Sequence, residues 1–221
     1  GSTLDASSID MGNGGDSFTL DATATLTLGA GNQISGGGGT DSLILTGSGT
    51  GTGSFDLDSQ TAFETLTVSG GDDWTLTGTG TGFTTIDVTG GSLTLGNGST
   101  ATVTVSGAVT LDATTVTVND GSSLSAGSIT GGDTGVTLDI ATGGGVTSTG
   151  AITFGAGVDA ITVASGGSLS ASSVDLGAGN DNFTLATGAT LTVAGTISGG
   201  ADTDTLALTG SGTGTLGAGS F

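Results

Sequence analysis

Short runs in which apolar residues alternate with threonine or serine recur along the whole chain, as in TATLTL (23–28), TATVTV (100–105) and TTVTV (114–118). Alternation over about four to eight residues, rich in Thr and Val, predicts half-buried β-strands. Clusters of Gly, Asn, Asp and Ser separate the runs and supply turns that need positive φ. No stretch carries the helical period of an amphipathic helix. The pattern predicts an ordered, all-β protein.

The apolar positions also recur at long range. Leu124, Val146, Leu169 and Leu191 are spaced 22, 23 and 22 residues apart. Ile129, Ile152, Val174 and Ile197 follow at 23, 22 and 23, and Leu138, Ile161, Phe183 and Leu206 at the same intervals. Three series in one period predict three short strands per coil. The period shortens to about 20 across Phe63, Phe83 and Val103, and lengthens to 25 from Ile9 to Ile34 and from Phe18 to Leu43. A right-handed parallel β-helix of about ten coils of 20–25 residues is the expected fold. In such a fold successive coils stack at roughly 4.8 Å. A β-sandwich, the alternative, would show strands at shorter spacing without the long register.

A longer repeat overlies the short one. Residues 1–28 match 166–193 at an offset of 165, and 34–52 match 197–215 at an offset of 163. The chain therefore reads as one continuous solenoid over 1–221, with a super-repeat of about 165 residues that occupies 1–165 and restarts at 166–221. It is expected to be a segment of a longer repetitive protein.

Composition then narrows the chemistry. There is no Lys, Arg, His, Cys or Pro, and 20 acidic residues give a net charge of −20. Low hydrophobicity with high charge usually means disorder, but only 9% of residues are charged, and mean hydropathy is positive. The absence of Pro suits interior coils, whose N–H groups all serve a neighbour. Nucleic acid is not an expected partner, because phosphates need cationic side chains. An anionic membrane surface would repel the chain for the same reason. Small cations are the favoured counterions.

The stretch FETLTVSGGDDWTLTG, with Phe63, Glu64, Leu66, Trp74, Leu76 and Gly78, resembles the passenger repeats of bacterial autotransporters. TDSLILTGSGT (40–50) and TDTLALTGSGT (203–213) resemble the strand that usually precedes that motif. The resemblance implies a surface-exposed β-helix exported through an outer-membrane barrel that is not part of this chain. It does not imply an activity, since passengers differ widely.

A second resemblance is to the calcium-binding nonapeptides of the RTX type. GGGGTDSLI (36–44) matches fully, and MGNGGDSFT (11–19), FGAGVDAIT (154–162), LGAGNDNFT (176–184) and GGADTDTLA (199–207) match in part. RTX rolls repeat the motif in tandem, whereas here single copies recur once per 22–25 residues. The resemblance implies Ca²⁺ as a cofactor, with Asp16, Asp41, Asp159, Asp181 and Asp204 as candidate metal ligands. Stacking places such carboxylates one above another, where a hard cation bound by carboxylate and turn oxygens would relieve their repulsion. Against this stands the plainer reading, in which each Asp caps a turn through nearby N–H groups and is screened by salt.

Catalysis is not expected. Asp72 and Asp73 are adjacent carboxylates, but neighbours on a strand point to opposite faces, and a turn is the expected setting. Ser nucleophiles need a His or Lys base, and neither occurs. The Gly-rich GTGTG (78–82) lacks the Lys of a phosphate loop. Trp74, the only Trp, and Phe18, Phe63, Phe83, Phe154 and Phe183 read as core. Pairs such as Thr75/Thr77 and Thr115/Thr117 resemble the Thr ladders of ice-binding solenoids, but Thr is an ordinary exposed strand residue and unequal coils blur a lattice.

These readings converge on a structural or adhesive repeat of a secreted or cell-surface bacterial protein. Its expected partners are further copies, joined end to end or laterally, and a glycan or other surface ligand. The alternative is a Ca²⁺-dependent RTX-like adhesin or surface-layer binding module.

Overall fold

The computed structural model describes residues 1–49, 51–112, 114–209 and 213–215, the last three by their backbone. The end of the second super-repeat copy, with Phe221, lies outside the described residues. Among the described residues there is no α-helix, only a 3-10 turn at Leu57–Ser59. The strands pair in parallel and stack as a β-solenoid of about nine turns, against the ten expected.

The chain winds past three walls in each turn. Wall A stacks nine strands, from Ser17–Asp21, Ser42–Thr46 and Thr65–Val68 to Val174–Asp175 and Ile197–Ser198. Wall B runs from Thr52–Asp56 through Gly91–Leu95, Thr137–Ile140 and Ala160–Val163 to Thr205–Leu208. Wall C includes Ala101–Val105, Ser123–Ala126, Ser168–Ala171, Thr190–Val193 and Thr213–Thr215. Walls B and C join through the 11-residue strand Asp73–Phe83, whose two halves pair on either side of the corner. By chain order, Thr3–Ala6 and Thr25–Leu28 hold the first two wall B positions. Ile9–Asp10, Ile34–Ser35 and Gln60–Thr61 hold the first wall C positions.

Each long-range apolar series maps onto one wall. Leu124, Val146, Leu169 and Leu191 are in-register partners on wall C. Ile129, Ile152, Val174 and Ile197 stack on wall A, and Leu138, Ile161, Phe183 and Leu206 on wall B. These positions point inward because side chains on a strand alternate between faces. Burying each Leu, Ile or Phe side chain fully is worth about 1.5–3 kcal/mol. Thr and Ser take most outward positions. On wall B the outward column Thr75, Thr94 and Thr117 continues into Asp139, Thr162 and Thr184, so a charge interrupts the Thr ladder.

Two sequence expectations shift. Phe83 pairs with Val105 and not Val103, because the ladder slips between Gly80 and Phe83 where wall B turns into wall C. Phe18 is only partly buried, while Phe55, Phe63, Phe83, Phe154 and Phe183 are core.

The two super-repeat copies do not lie on the same walls. Ser17–Asp21 is on wall A, but its counterpart Asn182–Leu185 is on wall B. Likewise Ile34–Ser35 holds a wall C position and Ile197–Ser198 a wall A position. From the first to the second copy the chain makes seven full turns and one further third.

Candidate functional site

The acidic residues singled out from the sequence sit immediately before wall strands. At these corners an amide of one coil donates to a carboxylate one coil on and not to a backbone carbonyl. Before wall B, Val136 N–H donates to Asp159 Oδ1 at 2.6 Å, Asp159 N–H to Asp181 Oδ1 at 2.8 Å, and Asp181 N–H to Asp204 Oδ1 at 3.1 Å. Before wall A, Asp16 N–H donates to Asp41 Oδ1 at 2.7 Å, and Asp41 N–H to Glu64 Oε2 at 2.8 Å. The structure thus gathers Asp159, Asp181 and Asp204 into one ladder and Asp16 and Asp41 into another. The two ladders occupy different walls.

Glu64 and Asp72 belong to the same scheme and escaped the sequence reading. Glu64 ends the wall A ladder of Asp16 and Asp41, and Asp72 Oδ1 accepts the Gly51 amide at 3.0 Å from just before Asp73–Phe83. The signal was present as spacing: 23 residues separate Asp41 from Glu64, and 21 separate Gly51 from Asp72. It was hidden because neither residue lies in a nonapeptide match. Asp73, by contrast, is exposed, where it accepts a hydrogen bond from Ser92.

Five of these carboxylates have a second, unsatisfied side. Asp41 and Asp159 are 0% exposed and Asp72 and Asp181 are 1% exposed. The Oδ2 atoms of Asp16, Asp41, Asp72, Asp159 and Asp181 are all buried without a hydrogen-bond partner. Glycine makes room for them. A Cβ on Gly36 would lie 2.9 Å from Asp41 Oδ2 and 2.1 Å from the Ala62 carbonyl oxygen. Gly199 meets Asp204 Oδ2 in the same way, at 2.4 Å. The carboxylates therefore pack directly against turn backbone.

Burial disfavours the charged form, and no cationic side chain offsets it. Burial raises the pKa of Asp159 to about 6; the Val136 amide opposes this and the Asp181 charge adds to it. Asp181 is also raised, first by burial and then, against the Asp159 amide bond, by the charges of Asp204, Asp202 and Asp175. Among the described residues no three acidic side chains converge as a ready-made metal cage. Ca²⁺ takes six to eight oxygens, so a cation here would draw on the free Oδ2 of neighbouring rungs and take its remaining ligands from turn carbonyls.

The passenger-like motif occupies one coil. Phe63 and Leu66 are buried at and on wall A, Trp74 and Leu76 on wall B, and Gly78 turns the corner at φ +76°. Trp74 is 1% exposed and packs over Gly53, where a Cβ would stand 2.6 Å from the indole ring. It is a core residue and offers no face to a sugar.

No protein-family model matches the chain, and no curated protein or solved structure matches it either.

Proposed function

We propose that this chain is a non-enzymatic structural or adhesive rod, a repeat of a secreted or cell-surface bacterial protein of the autotransporter-passenger type. The observation that carries this reading is wall A, whose nine strands stack in parallel without a break. Each coil contacts mainly its neighbours, so length and stability grow together as coils are added. Nine coils make a spacer of roughly 40 Å at the ordinary strand separation. The outward Thr and Ser columns keep the surface hydrated without an apolar patch. Its proposed partners are other copies of itself, end to end or laterally, and surface ligands such as glycans. Sedimentation and negative-stain imaging over a concentration series test this. Growth into fibres or layers is the expected result, and a monomer at every concentration would overturn self-association.

One observation favours a second reading, a Ca²⁺-dependent module. The buried Oδ2 atoms of five rungs lack partners, and a cation would satisfy them. Melting in millimolar Ca²⁺ and in EDTA at equal ionic strength separates the two readings. Higher stability in Ca²⁺ supports the second, and equal melting removes it.

A further inference from the structure

Wall A is continuous, whereas wall C breaks between Gln60–Thr61 and the second half of Asp73–Phe83, and wall B breaks one coil earlier. Thr25–Leu28 pairs with Thr3–Ala6 on one side only, and Thr52–Asp56 pairs only with Asp73–Phe83 on its far side. These two strands follow one another on wall B, yet no hydrogen bond joins them among the described residues. The coils are tied on both flanks of the gap, by Ala22 N–H to the Thr46 carbonyl at 2.8 Å and by Gln33 Nε2 to the Asp58 carbonyl at 3.0 Å. Between the flanks lies a slot of about 850 Å³. That is within the usual range of a binding cleft, about 300–1,000 Å³.

The slot has a chemical character. Leu26 and Leu28, which should be core, are only half-buried, whereas their super-repeat counterparts Leu191 and Val193 are 3% and 2% exposed. Phe55 and Trp74 line the slot as well. Trp74 Nε1 is buried without a hydrogen-bond partner. Asp56 and Asp58 stand exposed at the end towards which both flanking strands run.

We propose that this slot binds an extended peptide from another protein as an added parallel strand, with alternate apolar side chains and a Lys or Arg just after the strand. Strand addition uses main-chain hydrogen bonds for affinity and side-chain pockets for specificity, and the slot presents an unpaired edge on each side. The cation is called for by Asp56 and Asp58. That requirement separates the occupant from a second copy, which has no basic residue and a net charge of −20. A neutral glycan is disfavoured, because the indole is covered by Gly53 and presents no stacking face.

The second super-repeat copy shows what a closed wall looks like. There Thr190–Val193 pairs in register with Thr213–Thr215, the counterpart of residues 50–52. In the first copy Thr52–Asp56 pairs only with the next coil, Gly53 with Trp74 and Phe55 with Leu76, and not with Thr25–Leu28.

Trp74 is the only tryptophan, so its emission reports on the slot. The intact chain is titrated with the synthetic peptide TVTLTK, with TVPLTK, whose proline removes a central N–H, and with TVTLTE. TVTLTK is expected to shift the Trp74 emission and to slow amide exchange in 25–28 and 52–56 by about tenfold. TVTLTE should bind about fivefold more weakly, the size of an exposed charge pair, as should TVTLTK to D58N. TVPLTK should not bind. Four results overturn the proposal: no shift with millimolar TVTLTK; equal binding of TVPLTK; a shift with a neutral oligosaccharide but not with peptide; or full protection of 25–28 and 52–56 in the free monomer. The same protection arising only on self-association would assign the slot to a second copy instead.

Discussion

The amide of Asp159 donates to Oδ1 of Asp181 at 2.8 Å, while Oδ2 of both residues is buried without a partner. One carboxylate thus does two opposed things: it completes the backbone ladder of the coil before it, and it carries charge into a place with no counter-charge. Several measurable properties follow from that conflict.

Stability should rise as pH falls from about 7 towards 4. Asp159 is raised to about 6 and Asp181 is raised in the same direction, both chiefly by burial. The folded state therefore binds more protons than the unfolded state in this window, and stability is lost as pH rises through the folded pKa values. Asp21 has a lowered pKa and acts oppositely, but only at lower pH and at the exposed surface. Denaturant unfolding from pH 4 to 8 checks this, and a midpoint that falls on acidification to pH 4 would refute it.

Asp159→Asn and Asp159→Ala should differ in sign at pH 7.5. Asparagine keeps an acceptor for the Val136 amide and removes the buried charge, so D159N should unfold at higher denaturant and flatten the pH dependence. Alanine leaves that amide unpaired at a 0% exposed site, at a cost of about 1–3 kcal/mol. Paired denaturation curves at two pH values test both.

Gly53→Val should destabilise the coil pair it joins. Any Cβ at Gly53 meets the Trp74 ring at 2.6 Å, and overpacking of this kind costs about 1–3 kcal/mol. Tryptophan emission should move together with the loss in melting temperature. An unchanged spectrum with unchanged stability would show that the indole does not hold this strand.

Inward and outward positions of one strand should respond differently. Ile161→Ala, at 0% exposure on wall B, should cost about 2–5 kcal/mol. Its outward neighbour Thr162→Ala should stay within about 0.5 kcal/mol. Equal losses would contradict the assigned faces.

Removing one whole coil should be tolerated. Ile140 and Val163 are in-register partners, so deleting 141–163 joins equivalent points and keeps every downstream strand on its wall. Deleting 141–151 moves every downstream strand out of register. Circular dichroism and cooperative melting should survive the first deletion, at reduced stability, and not the second.

The inward series could be read from the chain because strand alternation and stacking repeat are both local rules. Leu138, Ile161 and Phe183 announce themselves by chemistry and interval alone, and so do the rungs Asp159, Asp181 and Asp204. Glu64 and Asp72 were not legible, because their role depends on which amide of the previous coil is left unpaired at a corner. The slot was still less legible. TLTL at 25–28 and TLTV at 190–193 are nearly the same text, yet one faces a gap and the other a paired strand.

By itself, then, the sequence determined an all-β solenoid, its three apolar series, the carboxylate column Asp159, Asp181 and Asp204, and an exterior free of cationic side chains. The tertiary structure decided which wall each element occupies, where the ladder opens, and which carboxylate oxygens are left without partners. The physical reason is accumulation. Each coil takes 20 to 25 residues, and small differences in turn length add up until the second super-repeat copy arrives a third of a turn out of phase with the first. A strand's inward face is set by its own residues, but its wall is set by every turn before it.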